Sequence, residues 1–338
     1  MPVGDNTSFY YDPFRRKWCM SIRRGWPIRA RSFHEADTFL GGATWNIHTD
    51  EVPWQRTDRF DEPDPSLPDH VVALYDVNVV AYESLMLGLF AIFRGPENDI
   101  CAREGVPKMI DLVAGYSRDG FHFDRPDRTP LLDCSRRIGE WNRAYLHAAG
   151  GICLVVGDQI FIYFTGFSGI SPKLGPGEQG TPGRTRLRMY AGAKTGLATL
   201  RRDGFASMTA ESEGGELTTR LVTFRGNHMF VNVQASGGEL RVAVLDRTGN
   251  PFPGLDVGDC KPLRLDSTRA QVEWTSGRDL GLVRGQPVRF RFHLRTGELF
   301  AFWVTDDPAG ASYGYMAAGG PGFTGGRDLP PKRQSHAR

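Results

Sequence analysis

The sequence lacks the long apolar runs and the one-sided charge that would point to a membrane or a nucleic acid. No apolar stretch approaches the roughly 20 residues that a membrane-spanning helix needs. The net charge is +2, and the arginines form no block. The N-terminus has an acid where a signal peptide has its positive region. We therefore expect the chain as given to be cytoplasmic, with the location open if an N-terminal segment is missing. We expect neither nucleic acid nor membrane as a partner, while the oligomeric state is left open.

Cysteine is scarce, and its spacing matches no framework. The cysteines form no C-x-x-C pair, which argues against a zinc knuckle, and their odd number argues against a set of disulfides. We expect all of them to be reduced residues packed in the interior. The five are Cys19, Cys101, Cys134, Cys153 and Cys260.

Short catalytic motifs are missing as well. "FHEADTF" has no second histidine for an H-E-x-x-H zinc site, and "GFSGI" does not match G-x-S-x-G. "GPGEQGTPGRT" (175–185) lacks the Gly-Lys-Ser/Thr ending of a phosphate loop, and we interpret it as a flexible loop. The sequence predicts no metal and no cofactor.

What the sequence does contain is a strong β pattern. Short apolar or alternating runs are separated by Gly, Asp, Asn and Pro, which is typical of strands and tight turns. The clearest hairpin is "GICLVVGDQIFIYFTG" (151–166), with Gly-Asp at its turn, and "TSFYYDPFRRKWCMSIR" (7–23) has the same form. "VNVVAYESLMLGLFAIFRG" (77–95) is a third candidate, although its leucines and methionine also fit a helix.

A decayed repeat follows these hairpins. "YSRDGFHFDRP" (116–126) and "LRRDGFASMTA" (200–210) share Arg-Asp-Gly-Phe, and "RARSFHEADTF" (29–39) holds the equivalent place after the first hairpin. Asp37, Asp119 and Asp203 thus recur at nearly equal intervals. We interpret Asp-Gly as turn chemistry rather than as catalytic residues. The repeating unit is strand, turn, strand, loop, strand, Asp-Gly-type turn and a fourth strand.

Four-stranded repeats predict β-propeller blades over residues 1–210. Propellers have roughly four to eight blades, so three units cannot close a ring. Since the first unit starts near residue 5, we expect the chain to be the C-terminal portion of a longer protein; the alternative is a variant with an open edge. Regular alternating strands fill 211–305 and predict an antiparallel β-sandwich. A tail rich in Gly, Pro and Arg (306–338) is expected to be mobile.

The blades and the sandwich together resemble a known family. A blade ending in S-x-D-G-x-x-aromatic, followed by a sandwich, resembles the five-bladed glycoside hydrolases of families 32 and 43. The resemblance is carried by "SRDGFHFDRPDRTPLL" (117–132) and "TGLATLRRDGFASM" (195–208). Their residue pattern is also similar to that of a bacterial group related to family 32. It covers roughly residues 5 to 305. The N-D-P-N-G-like motif that supplies the nucleophile in family 32 is not found here.

The resemblance implies carboxylates that face a central funnel from the first strand of each blade. Glycosidases use two carboxylates across the scissile bond. The acids that precede the three hairpins are Asp5, Asp69 and Glu140, and we predict Glu140 as the acid, Asp5 or Asp69 as the stabiliser or base, and Glu83 as a spare. The alternative is that each caps a strand or a turn.

Residues next to these acids are candidates for substrate binding. Trp141 can stack on a sugar face, Asn142 and Arg143 can bind hydroxyls, and His70 follows Asp69. Core packing explains Trp141 equally well. The predicted function is a glycoside hydrolase-like protein acting on fructosyl-, arabinosyl- or similar glycans, with a carbohydrate as the partner. The alternative is a non-catalytic carbohydrate-binding or structural propeller remnant.

Overall fold

The computed structural model describes residues 3–25, 27–104, 106–170 and 190–330. Strand accounts for 44% of the structure and helix for 5%, the sheets are antiparallel, and one of them curls into a half-barrel. The predicted all-β fold class is therefore confirmed. The Gly-rich stretch at 175–185 lies outside the described residues, as does the end of the predicted tail after Pro330.

The chain forms two compact units. The first consists of Met1–Leu154, Phe161–Thr199 and Tyr315–Gly320, and the second of Val155–Ile160, Leu200–Gly314 and Pro321–Arg338. The division into domains at 1–210, 211–305 and 306–338 stays a prediction.

The first sheet of the first unit is a meander in chain order. A turn at Asp12 connects its first two strands, because the Asp12 carboxylate accepts hydrogen bonds from the backbone N–H groups of Phe14 and Arg15. The turn of the hairpin predicted at 7–23 is thus present. The strands are β1 (Ser8–Asp12), β2 (Lys17–Gly25), β3 (Arg29–Ala36) and β4 (Val52–Pro53).

The second sheet contains the segment 77–95, for which the sequence left open whether it forms a hairpin or a helix. It is a hairpin of two long strands joined at Glu83, which has a φ of 49°. Most side chains of these two strands are buried, which explains why their apolar residues show no strand alternation. The sheet order is β19 (Tyr315–Met316), β5 (Ala73–Glu83), β6 (Leu85–Gly95) and β7 (Met109–Ser117), and helix α1 (Asn98–Glu104) precedes β7.

In this second sheet the last strand in the chain, β19, pairs with β5. The segment from residue 306 to 330, which we expected to be mobile, is therefore structured in part, and it also buries Asp328. The glycines and prolines of this segment do make its backbone irregular. Hydrogen bonds nevertheless hold part of that backbone in place. Examples are those between the backbones of Tyr313, Gly314 and Asp328.

In both of these sheets, a segment later in the chain forms a few backbone pairings with the third strand of the meander. In the first sheet it is β4, and in the second it is the segment after the Arg-Asp-Gly-Phe turn, which meets β7 at two isolated bridges. The predicted unit of three strands, a turn and a fourth strand is present in the first sheet, whereas in the second sheet isolated bridges stand in the place of the fourth strand. The bridges join Tyr116 to Asp124 and Leu112 to Leu132.

The third sheet continues the same pattern. Gly157, with a φ of +60°, forms the tight turn that the Gly-Asp pair predicted. Its strands are β8 (Ala144–Ala148), β9 (Leu154–Val156), β10 (Gln159–Phe167) and β11 (Ala193–Arg201). Strands β8, β9 and β11 all pair with β10.

The second unit has two antiparallel sheets that share one apolar core. The alternation predicted at 288–293 is confirmed, since Phe290 and Phe292 are buried while Arg289, Arg291 and His293 are half-buried. One sheet is ordered β12 (Met208–Ala210), β18 (Gly297–Thr305), β14 (His228–Gln234) and β16 (Asp266–Val272); the other is ordered β13 (Gly215–Thr218), β17 (Arg289–Arg295) and β15 (Glu239–Leu245).

All five cysteines are free and buried, as predicted. Burial raises the pKa of Cys101 to about 11 and that of Cys19 to about 12. Such thiols stay protonated at neutral pH and are poor nucleophiles.

Candidate functional site

Bulges in two strands of the first unit bring two tyrosines together. The pairing of β5 with β6 shifts register between Leu74 and Asp76, and the pairing of β10 with β8 shifts between Thr165 and Phe167. Bulges re-aim side chains and are frequent beside active sites. Tyr75 is the extra residue at the first shift, Tyr145 lies on the bulged strand at the second, and their hydroxyl oxygens are 2.5 Å apart.

The backbone at Tyr145 is itself unusual. Its φ of 58° lies in the left-handed region, which a bulky residue rarely adopts. Residues are held in such conformations where the surrounding structure over-determines them, and these positions cluster at binding sites. Burial, together with the hydrogen bond to Tyr75, raises the pKa of Tyr145, so its phenol is neutral at pH 7.

Two cations and a histidine complete what we call the Tyr75 cluster. The guanidinium carbon of Arg29 lies 3.9 Å from the centre of the Tyr75 ring. The Lys108 Nζ lies 5.2 Å from the same ring and 5.9 Å from that of Tyr145. The His147 ring is 5.4 Å from Tyr75 and 4.7 Å from Tyr145 between centroids. The cluster is defined as Arg29, Tyr75, Lys108, Tyr145 and His147.

Neither cation of the cluster has a carboxylate partner within the described part of the chain. Lys108 is only 3% exposed, and burial, together with the charge of Arg29, lowers its pKa. The Arg29 Nη1 atom is buried and has no hydrogen-bond partner there. A buried charge without a partner is costly, so these cations are unusual features of the fold.

Burial also sets the charge of the histidine. It lowers the pKa of His147 to about 4, and the charges of Lys108 and Arg29 act in the same direction. His147 is therefore neutral at pH 7 and offers one donor and one acceptor nitrogen. The cluster combines two cations with uncharged polar groups and aromatic faces.

Two carboxylates in different environments are linked to the cluster: Asp76 follows Tyr75 in the chain, and the charge of Asp5 acts on His147. Asp76 is 7% exposed and accepts hydrogen bonds from the Asn78 amide at 3.0 Å and the Val77 backbone at 2.8 Å. Burial raises the pKa of Asp76, and the charge of Asp5 contributes to this rise. Asp5 itself is exposed and pairs with Arg23 at 2.8 Å.

Asp76 also faces the most deeply buried cation of the unit. Arg31 is 0% exposed, and its Nη2 lies 3.6 Å from an Asp76 carboxylate oxygen. Arg31 further donates to the Ser21 hydroxyl at 2.9 Å and to backbone oxygens of Asn6 and Ser21. Burial lowers the pKa of Arg31 to about 10, so it remains charged at pH 7.

The predicted acids hold equivalent places, but only one of them is connected to the cluster. Asp5, Asp69 and Glu140 each lie just before the first strand of a sheet. The charge of Asp5 acts on His147 as well as on Asp76. Asp69 is exposed in a turn, and Glu140 pairs with Arg137 at 2.9 Å. Within the described ranges, no contact joins Asp69 or Glu140 to Asp5 or to each other.

Among the predicted binding residues, His70 borders the cluster. Its ring lies 5.1 Å from the Phe93 ring, which in turn is 6.0 Å from Tyr75. Burial lowers the pKa of His70, and its Nε2 is buried without a hydrogen-bond partner among the residues that the structure describes.

The remaining predicted binding residues lie on the third sheet or at the β5–β6 turn. The ring centroids of Trp141 and Phe164 are 5.5 Å apart. The Trp141 indole also packs on Gly196, where any side chain would collide with it. The backbone carbonyl oxygen of Asn142 accepts a hydrogen bond from the backbone N–H of Ser135. The Arg143 Nε is buried without a described partner, and Glu83 pairs in register with Tyr315.

The Arg-Asp-Gly-Phe turn at Asp119 has the predicted structural geometry. The Asp119 carboxylate accepts hydrogen bonds from the backbone N–H groups of Phe121 and His122 and from the Ser117 hydroxyl. Gly120 has a φ of +72°. The second copy differs, because there Asp203 itself takes the positive φ of 56°.

A second set of buried charges in the first unit is fully paired, and we call it the Asp111 network. Asp111 binds Arg94 at 2.7 Å and Arg136 at 2.6 Å through one oxygen, and the Cys134 backbone at 2.9 Å through the other. Arg136 continues to Asp64 at 2.5 Å. Every charge in this network has an opposite charge in contact.

A surface cleft of about 490 Å³ adjoins Arg29. Its described lining contains three arginines and no acid. Two of them are neutralised from outside the lining, Arg23 by Asp5 and Arg24 by Glu51, each at 2.8 Å. The lining consists of Val3, Gly4, Arg23, Arg24, Gly25, Pro27 and Arg29.

Sequence reasoning missed the Tyr75 cluster. The available signals were Asp76 and Asn78 at alternate positions of an otherwise apolar strand, and Lys108 directly before another. Among the described residues, no group of three or more His, Cys, Asp or Glu could hold a metal ion, and none of the helices is long and apolar enough to cross a membrane. No protein-family model matches the chain, and no curated protein is significantly similar to it.

Proposed function

We propose that the protein is a glycoside hydrolase-like protein that binds a glycan at the Tyr75 cluster. The observation that carries the proposal is the pair of unlike carboxylates linked to the cluster, Asp76 as the chain neighbour of Tyr75 and Asp5 through its charge on His147 and Asp76. Asp76 is buried and has a raised pKa, whereas Asp5 is exposed and paired with Arg23. Two carboxyl groups in unlike environments are what acid–base hydrolysis of a glycosidic bond requires.

In this proposal Asp76 is the general acid. Its proton passes to the glycosidic oxygen as the bond to the anomeric carbon breaks, and the leaving sugar departs as an alcohol. Asp5 is the carboxylate that either activates water or attacks the anomeric carbon, and the separation of the two carboxyl groups decides between these routes. Asp69 and Glu140 stay predictions with weaker support, because no described contact joins them to the cluster.

The hydroxyls of Tyr75 and Tyr145, together with the neutral His147, suit the hydroxyls of a sugar. Because Tyr75 is 1% and Tyr145 5% exposed, a glycan reaches them only when the cluster opens. The fold that we propose for this function is a set of propeller blades, formed by the three sheets of the first unit. Three repeated antiparallel meanders support it. For the second unit we propose a β-sandwich, supported by two sheets that share a core.

The second candidate is a non-catalytic carbohydrate-binding protein, and one observation favours it. Asp76 is held by Arg31, Asn78 and the backbone of Val77, which also fits a purely structural anchor. In that case the cluster would bind a glycan without cleaving it.

A hydrolysis screen tests the proposal. The purified chain is assayed on aryl glycosides and on plant and bacterial polysaccharides. On any substrate that is cleaved, Asp76→Asn should lower kcat by about 10²–10⁴-fold, the usual effect of losing a general acid. Asp37→Asn, which removes an exposed acid of the same unit, should leave kcat unchanged.

Two outcomes would redirect the proposal. Loss of activity in Glu140→Gln with full activity in Asp76→Asn would return the acid to the sequence-based prediction. Glycan binding without turnover would favour the second candidate. Neither binding nor turnover across the screen would contradict both.

A further inference from the structure

The two unpaired cations of the Tyr75 cluster have no function in hydrolysing a neutral sugar. Acid–base hydrolysis uses carboxylates, and the described residues offer Arg29 and Lys108 no carboxylate partner. Elsewhere in the first unit, buried cations do have one: Arg94 and Arg125 each contact an aspartate. Arg143 also has a buried nitrogen without a described partner, but the Tyr75 cluster places two cations that lack a described carboxylate partner against one ring.

We infer that Arg29 and Lys108 bind the carboxylate of an acidic sugar. This inference rests on the proposed function and names its substrate class. The Arg29 guanidinium can bind a carboxylate in a planar, two-point arrangement, and the Lys108 ammonium supplies a point charge. Because Lys108 is 3% exposed, its interaction with the ligand is weakly screened by solvent.

The surroundings favour a sugar acid over a free inorganic anion. Both cations lie against the ring of Tyr75, and Lys108 also faces the rings of Phe93 and Tyr145. The rings are buried and already contact the two cations, but the hydroxyls of Tyr75 and Tyr145 and the neutral His147 lie beside them and can bind sugar hydroxyls. An inorganic anion would use the charges and none of these neutral polar groups.

A ligand in the cleft can reach Arg29, the one arginine of the described lining that has no described carboxylate partner. Arg23 and Arg24 already have Asp5 and Glu51 as partners, so Arg29 is the cleft arginine with unsatisfied donors among the described residues. An acidic residue of a glycan lying in this cleft would therefore meet the cluster through its carboxylate. Neighbouring neutral residues would contact the remaining cleft wall.

Calorimetric titration with D-glucuronate and D-glucose tests the inference, because the two differ only at the carboxylate. Glucuronate should bind at least tenfold more tightly than glucose. Lys108→Met and Arg29→Gln should each lower glucuronate affinity about tenfold or more and leave glucose affinity within twofold. Lys17→Gln, which removes an exposed cation of the same unit, should change neither. Thermal unfolding shows that each variant is folded.

The outcomes separate this inference from the proposed function. Equal affinity for glucose and glucuronate would overturn the inference and leave carbohydrate binding intact. Inorganic phosphate or acetate binding as tightly as glucuronate would overturn it as well, since the sugar ring would then contribute nothing. Binding of neither sugar, together with a negative polysaccharide screen, would remove the proposed function too.

Discussion

The Asp111 network and the Tyr75 cluster are two groups of buried charges in the same unit, and they are built in opposite ways. In the network, Asp111 contacts Arg94 and Arg136, and Arg136 contacts Asp64. In the cluster, Arg29 and Lys108 contact aromatic rings instead of carboxylates. A paired buried charge fixes the structure, whereas an unpaired one costs stability that a bound ligand can recover.

The largest effect is expected from breaking the network. Asp111→Ala leaves two arginines buried without their shared carboxylate and should lower the free energy of unfolding by about 3–5 kcal/mol. Urea denaturation measures this. Asp133→Ala removes an exposed aspartate of the same unit that has no side-chain hydrogen bond or ion pair within the described residues, and it should change stability by less than about 0.5 kcal/mol. A loss below 1 kcal/mol in Asp111→Ala would mean that the network is not structural.

The next effect is a pH dependence that originates in the cluster. The folded pKa of His147 is about 4, below its usual value near 6.5, so the unfolded chain binds more protons between these limits. Stability is therefore complete above pH 6.5 and falls as the pH drops toward 4. The loss due to His147 is on the order of 2–3 kcal/mol.

Denaturation midpoints at pH 4.5 and 7 measure this dependence in the wild type and in His147→Gln. The variant should show a smaller difference between the two pH values. His70, whose pKa is also lowered, keeps a part of the slope. An unchanged slope in His147→Gln would show that His147 is not the group responsible.

A smaller effect is expected at the repeated turn. Asp119→Ala removes a carboxylate that accepts local backbone hydrogen bonds, and it should cost about 1 kcal/mol. Activity on any cleaved substrate should stay at the wild-type level. A normal melting temperature with lost hydrolysis would contradict the structural role of this turn.

The smallest effect on stability is expected in the cluster itself. Lys108→Met replaces a buried, unpaired ammonium with an apolar side chain of similar length, so the free energy of unfolding should stay the same or rise by about 1 kcal/mol. The contrast with Asp111→Ala is the sharpest form of the comparison. Strong destabilisation by Lys108→Met would mean that Lys108 belongs with the paired, structural charges.

The sequence predicted the strands and their repeats well because those features are local. Alternation at Phe290 and Phe292, and turn chemistry at Asp12 and Gly157, depend on neighbours in the chain. The buried hairpin at 77–95 was harder, since burial on both faces removes the alternation that distinguishes strand from helix.

The cluster could not be predicted in the same way. Its members come from strands far apart in the chain, and two bulges, which alternation does not reveal, bring Tyr75 and Tyr145 together. The search for acids before each first strand selected Asp5, Asp69 and Glu140, and it could not select Asp76, which lies within a strand. The described partner of Glu140 is Arg137, in a local turn.

The most direct test is a crystal structure of the chain soaked with D-glucuronate. We predict electron density for the sugar at the Tyr75 cluster, with its carboxylate in contact with Arg29 and Lys108. Density for the sugar beside Glu140 and Trp141, with the cluster empty, would contradict the assignment of the site.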